Sequence, residues 1–191
     1  MKSGKSSRGN GQTIRALTIR QPFPELILRR RKPYEIRSWN TNYRGPLLIH
    51  SAAKVKTNCA EEVGLNAENL MTSAFVGIAV LSDVRPYTRA DSKLLNRRRA
   101  IGGWSPGLFS WVLKKPIRFA RPIKAKGKLG LFKVSPSVAR LAQDQVASLK
   151  NAAPIAHALP VPRTRSDASR TTTERSKAAR KAWRTRRRNR R

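Results

Sequence analysis

The sequence predicts an α+β fold: a small β-barrel with one or two short helices, flanked by disordered basic arms. Three observations lead there. Between residues 14 and 134, short runs of alternating or β-branched residues recur at close spacing. Glycine and proline punctuate these runs, and few stretches keep a helical period. Many short strands with little helix favour a barrel over a parallel sheet. Outside that region the chain is polar and strongly basic.

The elements follow in order. Residues 1–12 are rich in Gly, Ser and Lys and read as a disordered arm. "TIRALTIR" alternates and predicts a strand near residues 14–19. In "PFPELILRR", Pro24 and Glu25 suit a first helical turn, and Phe23, Leu26 and Ile27 share a face of a two-turn helix. "YEIRSW" alternates again, with Tyr34, Ile36 and Ser38 on one side and Glu35, Arg37 and Trp39 on the other. Gly45-Pro46 turns the chain into the apolar strand "LLIHSA", and "NCAEEVG" predicts a helix that stops at Gly64. "AFVGIAVLSDV" is a long apolar strand expected at the centre, and "SPGLFSWVLKKPIRFARPI" and "GKLGLFKV" supply further strands. The domain is expected over residues 13–135. Residues 136–162 hold a possible helix and a proline-rich linker, and residues 163–191 an Arg/Lys-rich tail.

The chain carries 42 basic and 10 acidic residues, a net charge of +32. Such a field attracts polyanions. Residues 163–191 hold 13 cations and 2 acids, a net +11, which leaves +21 on residues 1–162. RNA is the first partner expected and DNA the second, an anionic membrane surface is disfavoured, and no protein partner is specified. The single Cys59 excludes an internal disulfide and a cysteine-rich zinc site. No metal and no cofactor is expected. The basic start "MKSGKSSRGNGQ" leads into no apolar stretch and is not expected to be a secretory signal. A cytoplasmic location is expected, or a nuclear one in a eukaryote.

Lys32, Glu35 and Arg37 form the densest charge cluster at a strand. A solvated edge with ordinary ion pairs accounts for it, each pair worth about 0–1 kcal/mol. The alternative is a pocket in which Glu35, kept ionised by its neighbours, accepts a hydrogen bond from a base's amino group while Lys32 and Arg37 hold phosphate or carbonyl oxygens. Under that reading Glu35→Ala impairs recognition and spares the fold. Trp39 either stacks on a base or caps the core, and Arg44 lies near it in sequence. Ser51 and Lys54 follow at a strand end and suit phosphate contacts. His50 beside them is a lone histidine of the kind that is more often structural. In the tail, Arg180, Lys181, Trp183, Arg184, Arg186, Arg187 and Arg188 combine cations with one aromatic, which suits a polyanion.

"LTIRQPFPELILRRRKPYEIRSWNTNYRGPLLIHSAAK", "FVGIAVLSDV" and "SPGLFSWVLKKPIRFARPIKAKGKLGLFKV" resemble, in order, the segments of an ASCH domain, a relative of the PUA fold. The resemblance covers roughly residues 14–134. It implies a PUA/ASCH-like barrel. The family's Gly-x-Lys-x-x-Glu-x-Arg signature falls on Lys32, Glu35 and Arg37, with Arg30 where the family usually has glycine. A glycine there would suit a left-handed helix cap. The resemblance also implies RNA binding for some members, and ribonuclease or 4-acetylcytidine amidohydrolase chemistry for others. The amidohydrolase type uses a threonine nucleophile where this chain has Glu35, so that activity is not expected. Ribonuclease action would draw on Lys32, Glu35 and Arg37 as acid-base and phosphate-binding groups.

Overall fold

The computed structural model describes residues 14–151. Six strands, β1 (Arg15–Gln21), β2 (Tyr34–Arg37), β3 (Gly45–Val55), β4 (Ala74–Pro86), β5 (Phe109–Lys124) and β6 (Leu131–Lys133), form one mixed sheet. Its order is β2-β5-β4-β3-β1-β6. Four α-helices among the described residues accompany it, α1 (Phe23–Leu28), α2 (Thr57–Glu62), α3 (Arg89–Arg97) and α4 (Pro136–Asn151), with a 3-10 turn at Ala67–Asn69. β1 pairs parallel with β3, and the other neighbours pair antiparallel.

Alternation sorts the side chains. Leu17 and Ile19 of β1 and Leu47 and Ile49 of β3 join one core with Leu81, Trp111 and Leu113. Their neighbours Ala16 and Leu48 point the other way, into a second core with Phe75 and Phe119. There α4 lays Ala142 over the sheet, with Val138 and Val146 beside it. Gln145 of α4 clamps the edge of β5: its Oε1 accepts from the Arg121 amide at 3.0 Å and its Nε2 donates to the Arg121 carbonyl at 2.7 Å. A third core holds Leu26 of α1, Tyr87 and Leu95, with Tyr34 and Ile36 of β2 packed on it.

The hydrogen-bonded ladder runs open from β2 to β6. β2 and β1 stand four ladder steps apart, about 19 Å in a flat sheet. Yet Arg37 Nη2 of β2 donates to the Thr18 carbonyl of β1 at 3.0 Å. The sheet is therefore curled into a barrel-like shape, and a side chain spans its seam.

Two local devices fix the helices. Gly77 of β4 lies under α1, where an added Cβ would meet the Ile117 carbonyl and stand 2.5 Å from Leu28 Cδ2. Only glycine lets the helix approach so closely. α3, which the sequence pattern did not mark, opens with a capping box: Thr88 Oγ1 accepts from the Asp91 amide at 3.1 Å, and the Asp91 carboxylate accepts from the Thr88 amide at 3.0 Å. Arg85 donates to both Asp91 oxygens at 2.7 Å. This bidentate guanidinium, ahead of the Thr88 bonds, lowers the Asp91 pKa to about 2.

Gly77→Ala should destabilise the domain by about 2–3 kcal/mol, read by thermal or urea unfolding. Asp91 titrates lower in the folded than in the unfolded chain. Its stabilisation is therefore full above pH 4 and is lost as pH falls toward 2. Asp91→Asn should cost about 2 kcal/mol at pH 7, and the gap from the parent should close on acidification.

Candidate nucleic-acid interface

The signature cluster begins at the end of α1. The helix stops with Arg29 as its cap, and Arg30 takes a left-handed conformation at φ 58°. The turn thus adopts the geometry that suits glycine, at a cost of about 1 kcal/mol for arginine. The Arg31 and Lys32 amides both donate back to the Leu26 carbonyl, at 2.9 and 3.0 Å. This reversal sends Lys32 inward instead of into solvent.

Lys32 is 3% exposed and Glu35 6%. Lys32 Nζ donates to Glu35 Oε2 at 2.9 Å and to the Tyr34 carbonyl at 2.6 Å. Arg37 Nε lies 3.3 Å from Glu35 Oε1. That contact is an ion pair without hydrogen-bond alignment, since the same Nε is buried with no hydrogen-bond partner. Arg37 holds its alignment through Nη2 to Thr18 instead. Phe23 forms the adjoining wall, with Lys32 Nζ 5.4 Å and Lys56 Nζ 5.5 Å from its ring centroid. The expected phase of β2 is correct, but the solvated edge is not: both faces of the strand are covered, so Glu35 has no exposed face.

One carboxylate between two cations leaves a net positive charge. Of the three, Arg37 reaches furthest out, with 24% of its side chain exposed. Glu35 is held by two cations in the wall and is poorly placed to remove a proton from a ligand. The cluster's outer end, at Arg37, is positive.

The other sequence candidates divide. Trp39 packs edge-on against buried Trp111 at 4.6 Å between centroids, and Trp111 Nε1 donates to the Trp39 carbonyl at 3.2 Å. Trp39 therefore caps the core. Ser51 is fully buried and donates to the Met71 carbonyl at 2.6 Å, so it does not reach a phosphate. Lys54 is exposed on β3. Arg44 donates to the Thr41 and Tyr43 carbonyls at 2.8 and 2.9 Å and pairs with Asp83 at 3.4 Å. His50 is buried, its Nε2–H donating to the Ala125 carbonyl at 2.9 Å, and burial lowers its pKa. It is a neutral core histidine near pH 7. Arg180, Lys181, Trp183, Arg184, Arg186, Arg187 and Arg188 lie outside the described residues.

One polar site escaped the sequence reading. Glu25 Oε1 accepts from Arg29 Nε at 2.6 Å and from Arg118 Nη2 at 2.8 Å, at a cavity of about 370 Å³. Gln21 lines the same cavity and donates to the Met71 carbonyl at 2.8 Å, the acceptor that Ser51 also uses. The four-residue spacing of Glu25 and Arg29 was the available signal. Arg118, far along the chain, gave none.

Burial makes Glu35 a structural residue as well as an electrostatic one. Glu35→Ala leaves the Lys32 ammonium buried and unpaired, and should cost about 3–5 kcal/mol in urea unfolding. Replacing the pair together, Lys32→Met with Glu35→Leu, should recover only the part of that loss due to the unpaired ammonium, because Arg37 stays without its carboxylate.

The sequence matches the ASCH domain family over residues 17–123 of 191. No curated protein matches it. Among solved structures, the crystal structure of ASCH from Zymomonas mobilis is similar at 12% identity and a TM-score of 0.45, covering 72% of this chain and 96% of that one. The N-terminal domain of Staphylothermus marinus McrB is similar at 12% identity and a TM-score of 0.43, covering 69% and 93%. The sequence match spans more than half of the chain and includes Lys32, Glu35 and Arg37, and the chain belongs to the ASCH domain family.

Proposed function

We propose that this ASCH-domain protein binds nucleic acid, and RNA in particular. The observation that carries the reading is charge. Residues 14–151 hold 26 basic and 8 acidic residues, a net +18, before either terminal segment is counted. Four of those acids, Glu25, Glu35, Asp83 and Asp91, are already paired with Arg or Lys. Such a surface draws in a phosphate backbone at long range and releases its counterions on contact.

The signature cluster gives the field a focus. Arg37, paired with Glu35 and bonded to the Thr18 carbonyl, presents a fixed positive group, and Lys56 lies over the Phe23 ring that adjoins Lys32. An aromatic face between cations suits an unpaired base and its phosphate, the usual elements of single-strand recognition. Lys54 adds a flexible cation on β3. Affinity is expected to come chiefly from phosphate contacts, with the Phe23 wall supplying base preference. The Arg/Lys-rich tail, residues 163–191, acts as a second source of affinity.

Fluorescence anisotropy with a labelled single-stranded RNA, over a salt series, tests this. Saturable binding should weaken with salt, at a slope of about 0.7 per phosphate neutralised. Deleting residues 163–191 should reduce the slope by roughly 3–4, as expected if 5 of the 13 tail cations engage. Absence of binding at low salt would refute the reading. Tighter binding to single-stranded DNA would move the preference from RNA to DNA. Cleavage of the RNA would identify a ribonuclease.

A further inference from the structure

Three cationic residues occupy backbone positions that suit glycine. Arg30, Arg99 and Lys115 have φ of 58°, 50° and 49°. Arg30 and Arg99 follow the C-termini of α1 and α3, where a cation complements the helix dipole. That explanation does not reach Lys115, which lies within β5. There β4 advances two residues, from Ile78 to Val80, while β5 spans three, from Ile117 to Lys114. The extra residue makes a bulge at Lys115-Pro116, and such bulges re-aim side chains.

These features converge. Arg30, Arg98 and Lys115 rim an open groove of about 500 Å³, with Pro33, Pro116 and Ile117 on its floor. The lining holds no carboxylate. The rim is also latched. Arg98 Nη1 donates to the Arg30 carbonyl at 3.2 Å, and Arg31 Nε donates to the Arg98 carbonyl at 3.2 Å. Arg31 Nη1 and Nη2 reach the Val63 carbonyl at 3.2 and 3.3 Å. The turns after α1 and α3 are thus held together, and each offers an exposed guanidinium. At Lys115, exposed and in no ion pair among the described residues, the left-handed backbone is a cost that neither a helix dipole nor the reversal after α1 explains.

We propose that this groove is a second nucleic-acid contact, a track for the sugar-phosphate backbone of a single-stranded RNA. Phosphates sit on Arg30, Arg98 and Lys115, and riboses or base faces lie on Pro33, Pro116 and Ile117. The proposal rests on the nucleic-acid reading above and adds a groove that shares Lys32 with the signature cluster and extends from it to Arg98 and Lys115. A lipid surface fits less well. Ile27 and Leu113 in the lining are 1% and 5% exposed, so they are recessed and cannot insert into a bilayer.

The test uses the full chain with Arg30→Gly and Lys115→Gly combined. Both changes remove a cation and relieve a left-handed position, so stability and binding should move in opposite directions. The variant should melt no lower than the parent. Its affinity for a labelled single-stranded RNA should fall several-fold, and its salt slope by about 1.4, for two phosphates released. Arg30→Asn with Lys115→Asn, neutral and tolerant of the same conformation, should show the same loss and covers the case in which the glycine pair folds poorly. If the parent binds RNA and both double variants bind as tightly with the same slope, the groove assignment is wrong while the broader reading stands. If the parent does not bind RNA, both fail. Loss of binding to phosphatidylserine vesicles in place of RNA would also overturn the proposal.

Discussion

The fold depends on a buried ion cluster that joins two ends of a curled sheet. β2 and β1 share no ladder bond, yet Arg37 of β2 reaches the Thr18 carbonyl of β1. Arg37 pairs with Glu35 and takes its alignment from the Thr18 carbonyl, and Glu35 is itself held by Lys32. Each member alone would be a liability in the wall of a barrel. Burying a lone ammonium or carboxylate costs several kcal/mol, and only mutual pairing offsets it. The cluster is therefore all-or-none, and its geometry is set by the tight reversal after α1.

That reversal ties structure to charge. Arg30 must accept a left-handed conformation for Lys32 to turn inward. Arg31 then spends its guanidinium on the carbonyls of the α2 and α3 ends, and burial with the nearby charges of Arg29 and Arg99 lowers its pKa. A short segment thus supplies one buried cation, one latch and one exposed rim cation. Lys32 of the buried cluster and the rim cation Arg30 line one groove. That shared lining is the sense in which the two proposed contacts belong to one function.

Much of this was legible in the sequence because alternation is a strong code. The opposite facing of Leu47 and Leu48, and of Ile36 and Glu35, follows from period two alone. The left-handed turn at Arg30 was visible as a missing glycine in the family signature. What alternation cannot tell is whether a polar face meets water. Glu35 looked exposed because it is charged, but its covering comes from Lys32, three residues earlier, and from the curl of the sheet. Ser51 looked like a phosphate ligand, but its partner is the Met71 carbonyl, brought in by a distant loop. Trp39 went to the core because Trp111 waited there. α3 was overlooked because its apolar face is small, and its start is written in Thr88 and Asp91 and not in a hydrophobic run. The Glu25–Arg118 pair joins residues 93 apart and has no local signature.

Hydrogen–deuterium exchange on the parent and on Lys32→Met tests the central claim most directly. If the buried cluster closes the seam, residues 34–37 of β2 and 15–21 of β1 should lose protection together in the variant. The β3–β4 pairing at the sheet centre should keep its protection. Loss of protection in β2 alone, or no change at either seam strand, would contradict the account.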